Sequence, residues 1–268
     1  MKEKDLTSLE ELKESIACIK ERFCKSGENR LFFRGQRDSK WELKTTLERT
    51  ISGPLKFIDY YKLIFAAKPL IDKLETTIPA CSDFECLLDQ EINLSTYRYN
   101  KMLSPESLKY FAYLRHHDFP SPFLDWTSNI NVSLYFAFKH SSDHIPESGY
   151  ASIYCYLEMP YGYKFSKNGH KIYIIENDYL GVDRHEAQEG RYSMCVKHEK
   201  LSDNKYYAIF FPHDSIFSFN QVNQDTQDLL WKFNVPFSEN AAILEILDQE
   251  GYTHEKMGFN ESFSATSS

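Results

Sequence analysis

The pattern of this chain changes after His140, and the change limits what it can fold into. Five short stretches follow, YASIYCYLE, KIYIIE, RYSMCVKH, YYAIFFP and DLLWKFNVP, each aromatic, β-branched and set off by turn-like sequence. Runs of that length and composition predict strands. Before His140 the apolar residues recur mainly at helical spacing. Leu9, Leu12, Ile16, Ile19 and Phe23 form one stripe, with a capping box at Ser8 and Glu11 and a stop at Gly27. LKFIDYYKLIFAA is apolar on a broad face, and Pro69 kinks or ends it. SDFECLLDQEINL opens on a second capping box, Ser82 to Glu85. SPESLKYFAYLRHH starts with Ser104 as cap and Pro105 at the first helical position. WELKTTLER alternates or rises into a turn and stays unassigned. Helix resumes near Asn129, and SENAAILEILDQEG predicts a closing helix stopped by Gly251. The expected fold class is α+β, with a helix-rich N-terminal half and a β-rich C-terminal half in one domain, two subdomains being the alternative.

Composition narrows the function classes. The aromatic share is 15%, enough for a sizeable core. The net charge of −8 argues against a generally basic nucleic-acid surface. The six cysteines show no C-x-x-C pair and no zinc spacing, so reduced thiols in a cytoplasm are expected. The charged, amphipathic start is unlike a signal peptide, and no apolar run approaches the ~20 residues of a membrane span. No membrane partner is expected.

Three separated stretches carry the polar chemistry. LFFRG predicts a short buried strand over residues 31–33 that ends at Arg34 and Gly35. That would put a guanidinium, suited to bidentate contact with phosphate or carboxylate, at a sheet edge. Gly35 would let a ligand or another backbone come close. On the tripeptide alone, an Arg salt-bridged to a neighbouring acid, with Gly turning the chain, is the better explanation. In HHDFPSPFLDWTSNINVSLYFAF, Pro120 and Pro122 forbid helix through a connector that leads to Asp125, Trp126 and Thr127. Thr127 or Ser128 would cap the next helix, whose free amides can receive an anion. On the other reading Asp125 and Thr127 are turn and cap residues and Trp126 is core. His116 and His117 are a weak metal signal, since adjacent residues on a helix point apart. The third stretch, RHEAQEGRY, enters a strand through Gly190. Alternation would put Glu186 and Gln188 on one face and Ala187 and Glu189 on the other.

The three stretches occur in one order: FRGQ at residues 33–36, Trp41-x-Leu43 with Leu47-x-Arg49, the Asp-Trp-Thr block, then EAQEG at 186–190. This order resembles the FRG domain, a bacterial family named for its Phe-Arg-Gly. The resemblance runs from about residue 31 to 251. Ser121 stands where Thr is common, and the Phe-Pro-Asp ending expected near Gly258 is absent. It divides the chain into an N-terminal helix over 1–28, an FRG domain over 29–258 and a frayed tail over 259–268. The motif order is in turn similar to that of ADP-ribosyltransferases, which implies an ADP-ribosyltransferase-like fold, NAD as substrate and no metal. On that likeness Arg34, Glu186 and Gln188 are the catalytic residues. Gly35, Gln36, His117, Asp125, Trp126 and Thr127 bind the cofactor. Arg34 would hold a phosphate or ribose, and Asp125, Trp126 and Thr127 would shape the nicotinamide end. Glu186, Gln188 or Glu189 would face the ribose, where cleavage needs a carboxylate that Gln188 cannot supply. The implied role is an NAD-consuming toxin or phage-defence effector, with a protein or nucleic-acid target and an antitoxin or regulator. Two other readings stay open. One is a non-catalytic nucleotide- or nucleic-acid-binding module with a basic groove at Arg34, Arg37 and Lys40. The other is a hydrolase built on His116 or His117 and Asp125, with no nucleophile identified.

Overall fold

A computed structural model of the protein describes residues 1–24, 30–71, 105–117, 119–139, 149–160, 170–175, 187–200, 206–214 and 228–258. The first half supplies β1 (Lys2–Asp5), α1 (Leu9–Phe23), β2 (Leu31–Gln36), α2 (Thr46–Thr50), β3 (Leu55–Lys56), α3 (Phe57–Ile71), α4 (Pro105–His116), β4 (Leu124–Thr127) and α5 (Ile130–Leu134). A π-helical turn (Tyr135–Lys139) extends α5. The second half supplies β5 (Tyr150–Leu157), β6 (His170–Ile175), β7 (Gly190–Lys200), β8 (Tyr206–Phe210), β9 (Leu229–Pro236) and α6 (Asn240–Gln249). All five aromatic stretches are strands, and the closing helix ends at Gly251, whose φ of +71° suits a residue without Cβ.

The strands form one sheet in the order β1-β9-β5-β2-β4-β7-β8-β3, with β6 also on β7. β1 runs parallel to β9, and the other pairs are antiparallel. β4 and β6 both pair with Tyr192 and Ser193, so they take opposite edges of β7. β8 pairs with Val196 and Lys197, which β6 also holds, so β8 follows β4 along the same edge.

The mixed α/β class is as expected, but the division into halves is not. β1 to β4 come from the first half, and β2 and β4 lie between β5 and β7 in the middle of the sheet. β1 (KEKD) has no apolar alternation because all four of its residues are exposed, and a charged edge strand resists pairing with other chains. LDWT is too short to show a period and is a strand because Phe33 and residues 190–193 flank it. It was expected as part of a connector. β2 likewise runs on through Arg34 and Gly35 to Gln36, each paired with β5.

Two helical groups cover one face of the sheet. α1 and α6 bury Leu12, Ile16, Ile243 and Leu247 against Leu31, Phe33, Ile153, Cys155, Phe233 and Val235. α3 and α4 bury Tyr60, Ile64, Phe111 and Leu114 against Tyr192, Met194, Val196 and Phe210. The register places Asp125 opposite Tyr192, and Thr127 opposite Phe33, so both belong to this helical face. The seam between the two groups therefore falls on β4. Leu124 and Trp126 point to the other face, with Phe32, Tyr154, Tyr156 and Cys195.

Helix ends depart from expectation in detail. Ser8 Oγ accepts the Glu11 N–H as a cap should, but the Glu11 carboxylate turns to Thr7 N–H (2.8 Å) and Oγ1 (3.0 Å) instead of closing the box. The complete capping box is at Thr45 and Glu48, inside the unassigned WELKTTLER. Pro69 lies inside α3, which continues to Ile71, and Pro105 opens α4. Gly27, Ser82, Glu85, Ser104 and the tail beyond 258 lie outside the described residues. Cys18, Cys24, Cys155 and Cys195 are free thiols, and no helix among the described residues is long and apolar enough to cross a membrane.

Candidate functional site

β2 and β4 share one register pair, Phe33 with Thr127, and part beyond it. Arg34, the next residue, sends its guanidinium to Asp125. Nη1 donates to the Asp125 carbonyl at 2.9 Å and to Oδ2 at 3.3 Å. Arg115, from the last turn of α4, donates through Nη2 to the same Oδ2 at 3.0 Å. The side chains of Arg34 and Arg115 are 18% and 23% exposed, against 44% for Asp125. Two guanidinium groups thus stand behind one half-open carboxylate. Burial is the main influence on Arg34 and works against its charge; Arg115 and Arg49 add to this, and Asp125 opposes it. The guanidinium stays protonated all the same, because its intrinsic pKa is so high. Its buried Nε finds no acceptor among the described residues.

Gly35 faces the other way. A Cβ there would lie 1.9 Å from the Ser133 carbonyl oxygen, so the backbone of α5 occupies the space that a side chain would take. The close approach that Gly35 permits is made by the protein's own helix. Gln36 is buried, with Nε2 donating to the Glu42 carbonyl at 3.4 Å.

At the other end of β4, Thr127 is a junction. Its Oγ1 donates to the Gln188 carbonyl at 2.7 Å and accepts the Asn129 N–H at 3.1 Å. Asn129, not Thr127 or Ser128, caps α5, and its Oδ1 accepts the Asn131 N–H. Two of the amides at this helix start, those of Asn129 and Asn131, are therefore already held by side chains. Residues 187–189 form a turn before β7 begins at Gly190, so strand alternation does not apply to them. Glu189 has a φ of +46°, and its carboxylate accepts from Ser128 Oγ and Asn129 Nδ2, each at 2.8 Å. Gln188 Nε2 donates to the Met257 carbonyl at 2.8 Å, and Asn129 Nδ2 also donates to Tyr252 OH at 2.9 Å. Segment 251–258 thereby closes over this end of the site.

The structure brings Arg34 together with Asp125, and Thr127 with Gln188. It sends Trp126 to the opposite face, buried, and leaves His117 exposed with its ring 4.3 Å from that of Tyr113. Glu186 lies outside the described residues. Arg115 and Asn129 went unnoticed in the sequence, where nothing sets them apart from other basic residues and loop amides.

Residues 29–145 match the family model for the FRG domain. This segment of the chain is an FRG domain. No curated protein and no solved structure matches it. The span matched to the FRG domain contains Arg34, Arg49, Arg115, Asp125 and Thr127. Gln188 and Glu189 come from beyond it, carried to the site by the ladder between β4 and β7.

Proposed function

We propose that this FRG domain binds a phosphate-bearing nucleotide against Arg34 and Arg115, and that the nucleotide is NAD. The observation that carries the reading is the convergence of two guanidinium groups on Asp125, whose carboxylate is half exposed. Both guanidinium groups are partly open to solvent beside that carboxylate, and the charges of Arg115 and Arg49 both act on Arg34. Arginine forks match phosphate oxygens in charge and shape. NAD is favoured over other nucleotides by the likeness of the motif order to ADP-ribosyltransferases. Thr127 and the turn at 187–189 would then border the ribose and nicotinamide.

Cleavage of NAD, and with it a toxin or phage-defence role, is the further step of the same reading. It needs a carboxylate beside the ribose. Gln188 is neutral and held by Met257, and both oxygens of Glu189 hold the start of α5. Glu186 is left as the residue to test. Titration calorimetry with NAD and ADP-ribose should show binding that Arg115→Gln weakens at least about tenfold, the scale of a lost charge-assisted hydrogen bond. Nicotinamide release by the parent that stops in Glu186→Gln, with NAD affinity kept, would establish turnover. Binding without release under any target supplied would leave a binding module.

A further inference from the structure

The indole of Trp126 begins a line of buried polar groups on the face of the sheet away from Asp125. Its Nε1 donates to Ser193 Oγ at 2.7 Å. Ser193 Oγ lies 2.9 Å from His213 Nε2, and His213 Nδ1 lies 3.0 Å from Glu48 Oε1. Glu48 Oε2 accepts the Thr45 N–H at 2.9 Å, and Oε1 also receives the His213 N–H at 3.3 Å. Ser193 and His213 are each 1% exposed.

The direction of the line follows from what each group can do. An indole N–H only donates, so Ser193 accepts it and has one O–H to give. The acceptor within reach among the described residues is His213 Nε2, which therefore carries no proton. The ring proton is on Nδ1 and goes to Glu48, which as a carboxylate only accepts. Every buried donor then has its acceptor, as buried polar groups require.

The geometry points to Glu48, His213 and Ser193 as positioning residues of the nucleotide site. They hold Trp126, and through it Asp125 and Thr127, its neighbours on β4. Glu48 also sits on α2 beside Arg49, which acts on Arg34. The inference rests on the proposed nucleotide site for its function, though not for its geometry. Serine, histidine and carboxylate in this order are also the parts of an activated nucleophile. Here the oxygen of Ser193 is enclosed and already takes the indole N–H, so no electrophile reaches it.

Nitrogen NMR of His213 in the full chain tests the line without any ligand. The expected result is the Nδ1–H tautomer. In Glu48→Gln, an amide that keeps its oxygen on Thr45 N–H turns its NH₂ toward Nδ1. The ring then takes the Nε2–H tautomer, the O–H of Ser193 loses its acceptor, and the signals of the Trp126 indole and Thr127 amide shift. NAD affinity should fall at least about tenfold while unfolding stays cooperative, since a displaced supporting group commonly costs that much or more. If Glu48→Gln does not fold, Ser193→Ala breaks the line without touching the capping box of α2. An Nε2–H tautomer in the parent would overturn the inference. So would unmoved Asp125 and Thr127 signals in either folded variant, or labelling of Ser193 by a fluorophosphonate. If the tautomer and the Thr127 shift are as expected but the parent binds neither NAD nor ADP-ribose, the nucleotide reading alone fails and the positioning of β4 stands.

Discussion

Asp125 takes hydrogen bonds from two guanidinium groups, and no single residue around it announces this. Arg34 and Asp125 were legible as candidates because Arg before Gly, and Asp-Trp-Thr between prolines and a helix, are unusual choices for mere turns. Arg115 was not legible, because only the packing of α4 beside β4 selects it. Gly35 was legible as a close approach, but the sequence could not say what approaches. The answer, the carbonyl of Ser133, makes a prediction: Gly35→Ala must push α5 off β2. Overpacking of this kind costs about 1–3 kcal/mol or more, which urea denaturation would read as a lower midpoint at unchanged slope. Asp214 makes a second prediction. Burial first, then Glu48 and Glu42, raise its carboxyl above the ordinary Asp range. The folded state therefore holds this proton more tightly than the unfolded state. The stabilisation is complete below the ordinary Asp range and is lost as pH rises through the folded value. Asp214→Asn, which keeps an acceptor for the Leu43 N–H, should leave stability nearly unchanged at a pH below the ordinary Asp range and raise it at a pH above the folded value. Equal effects at both values would mean that Asp214 is not the group concerned.

At the scale of elements, the strands of the second half were legible because each is aromatic, β-branched and long enough to show its character. β1 and β4 were not, for opposite reasons. β1 is exposed and charged throughout, while β4 has four residues whose two faces serve different purposes. The stretch over 187–189 misled because it directly precedes a strand. It is a turn because Glu189 adopts a left-handed backbone that its bonds to Ser128 and Asn129 hold. Capping separates α1 from α2. Ser8 satisfies one amide of α1, so Ser8→Ala should lower stability by about 1 kcal/mol. Thr45→Ala removes half of a closed box whose carboxylate also holds His213, so its loss should be the larger of the two. Thermal melts of the two variants side by side check the order, and a smaller loss at Thr45 would detach α2 from the buried line.

Over the whole molecule, the class of fold was legible and the assembly was not. Helical and strand periods name the elements, but the placing of β2 and β4 inside a sheet completed by the second half depends on pairing across long stretches of chain. That pairing puts the polar residues of β4 on the seam between two helical groups, each with its own apolar core. A seam is where a polar site can sit without breaking a core, and there Arg115 meets Asp125, which Arg34 also reaches from β2. The FRG domain match ends before β7, so the site is complete only when the later strands are in place. The central claim is that this seam holds the phosphates of a nucleotide. The most direct measurement is calorimetric titration of the full chain with NAD and ADP-ribose, for the parent and for Arg115→Gln, at low and high salt. The account predicts binding by the parent that weakens with salt and falls at least about tenfold in the folded variant. Equal affinity in parent and variant, or no binding by a folded parent at any salt, would contradict it.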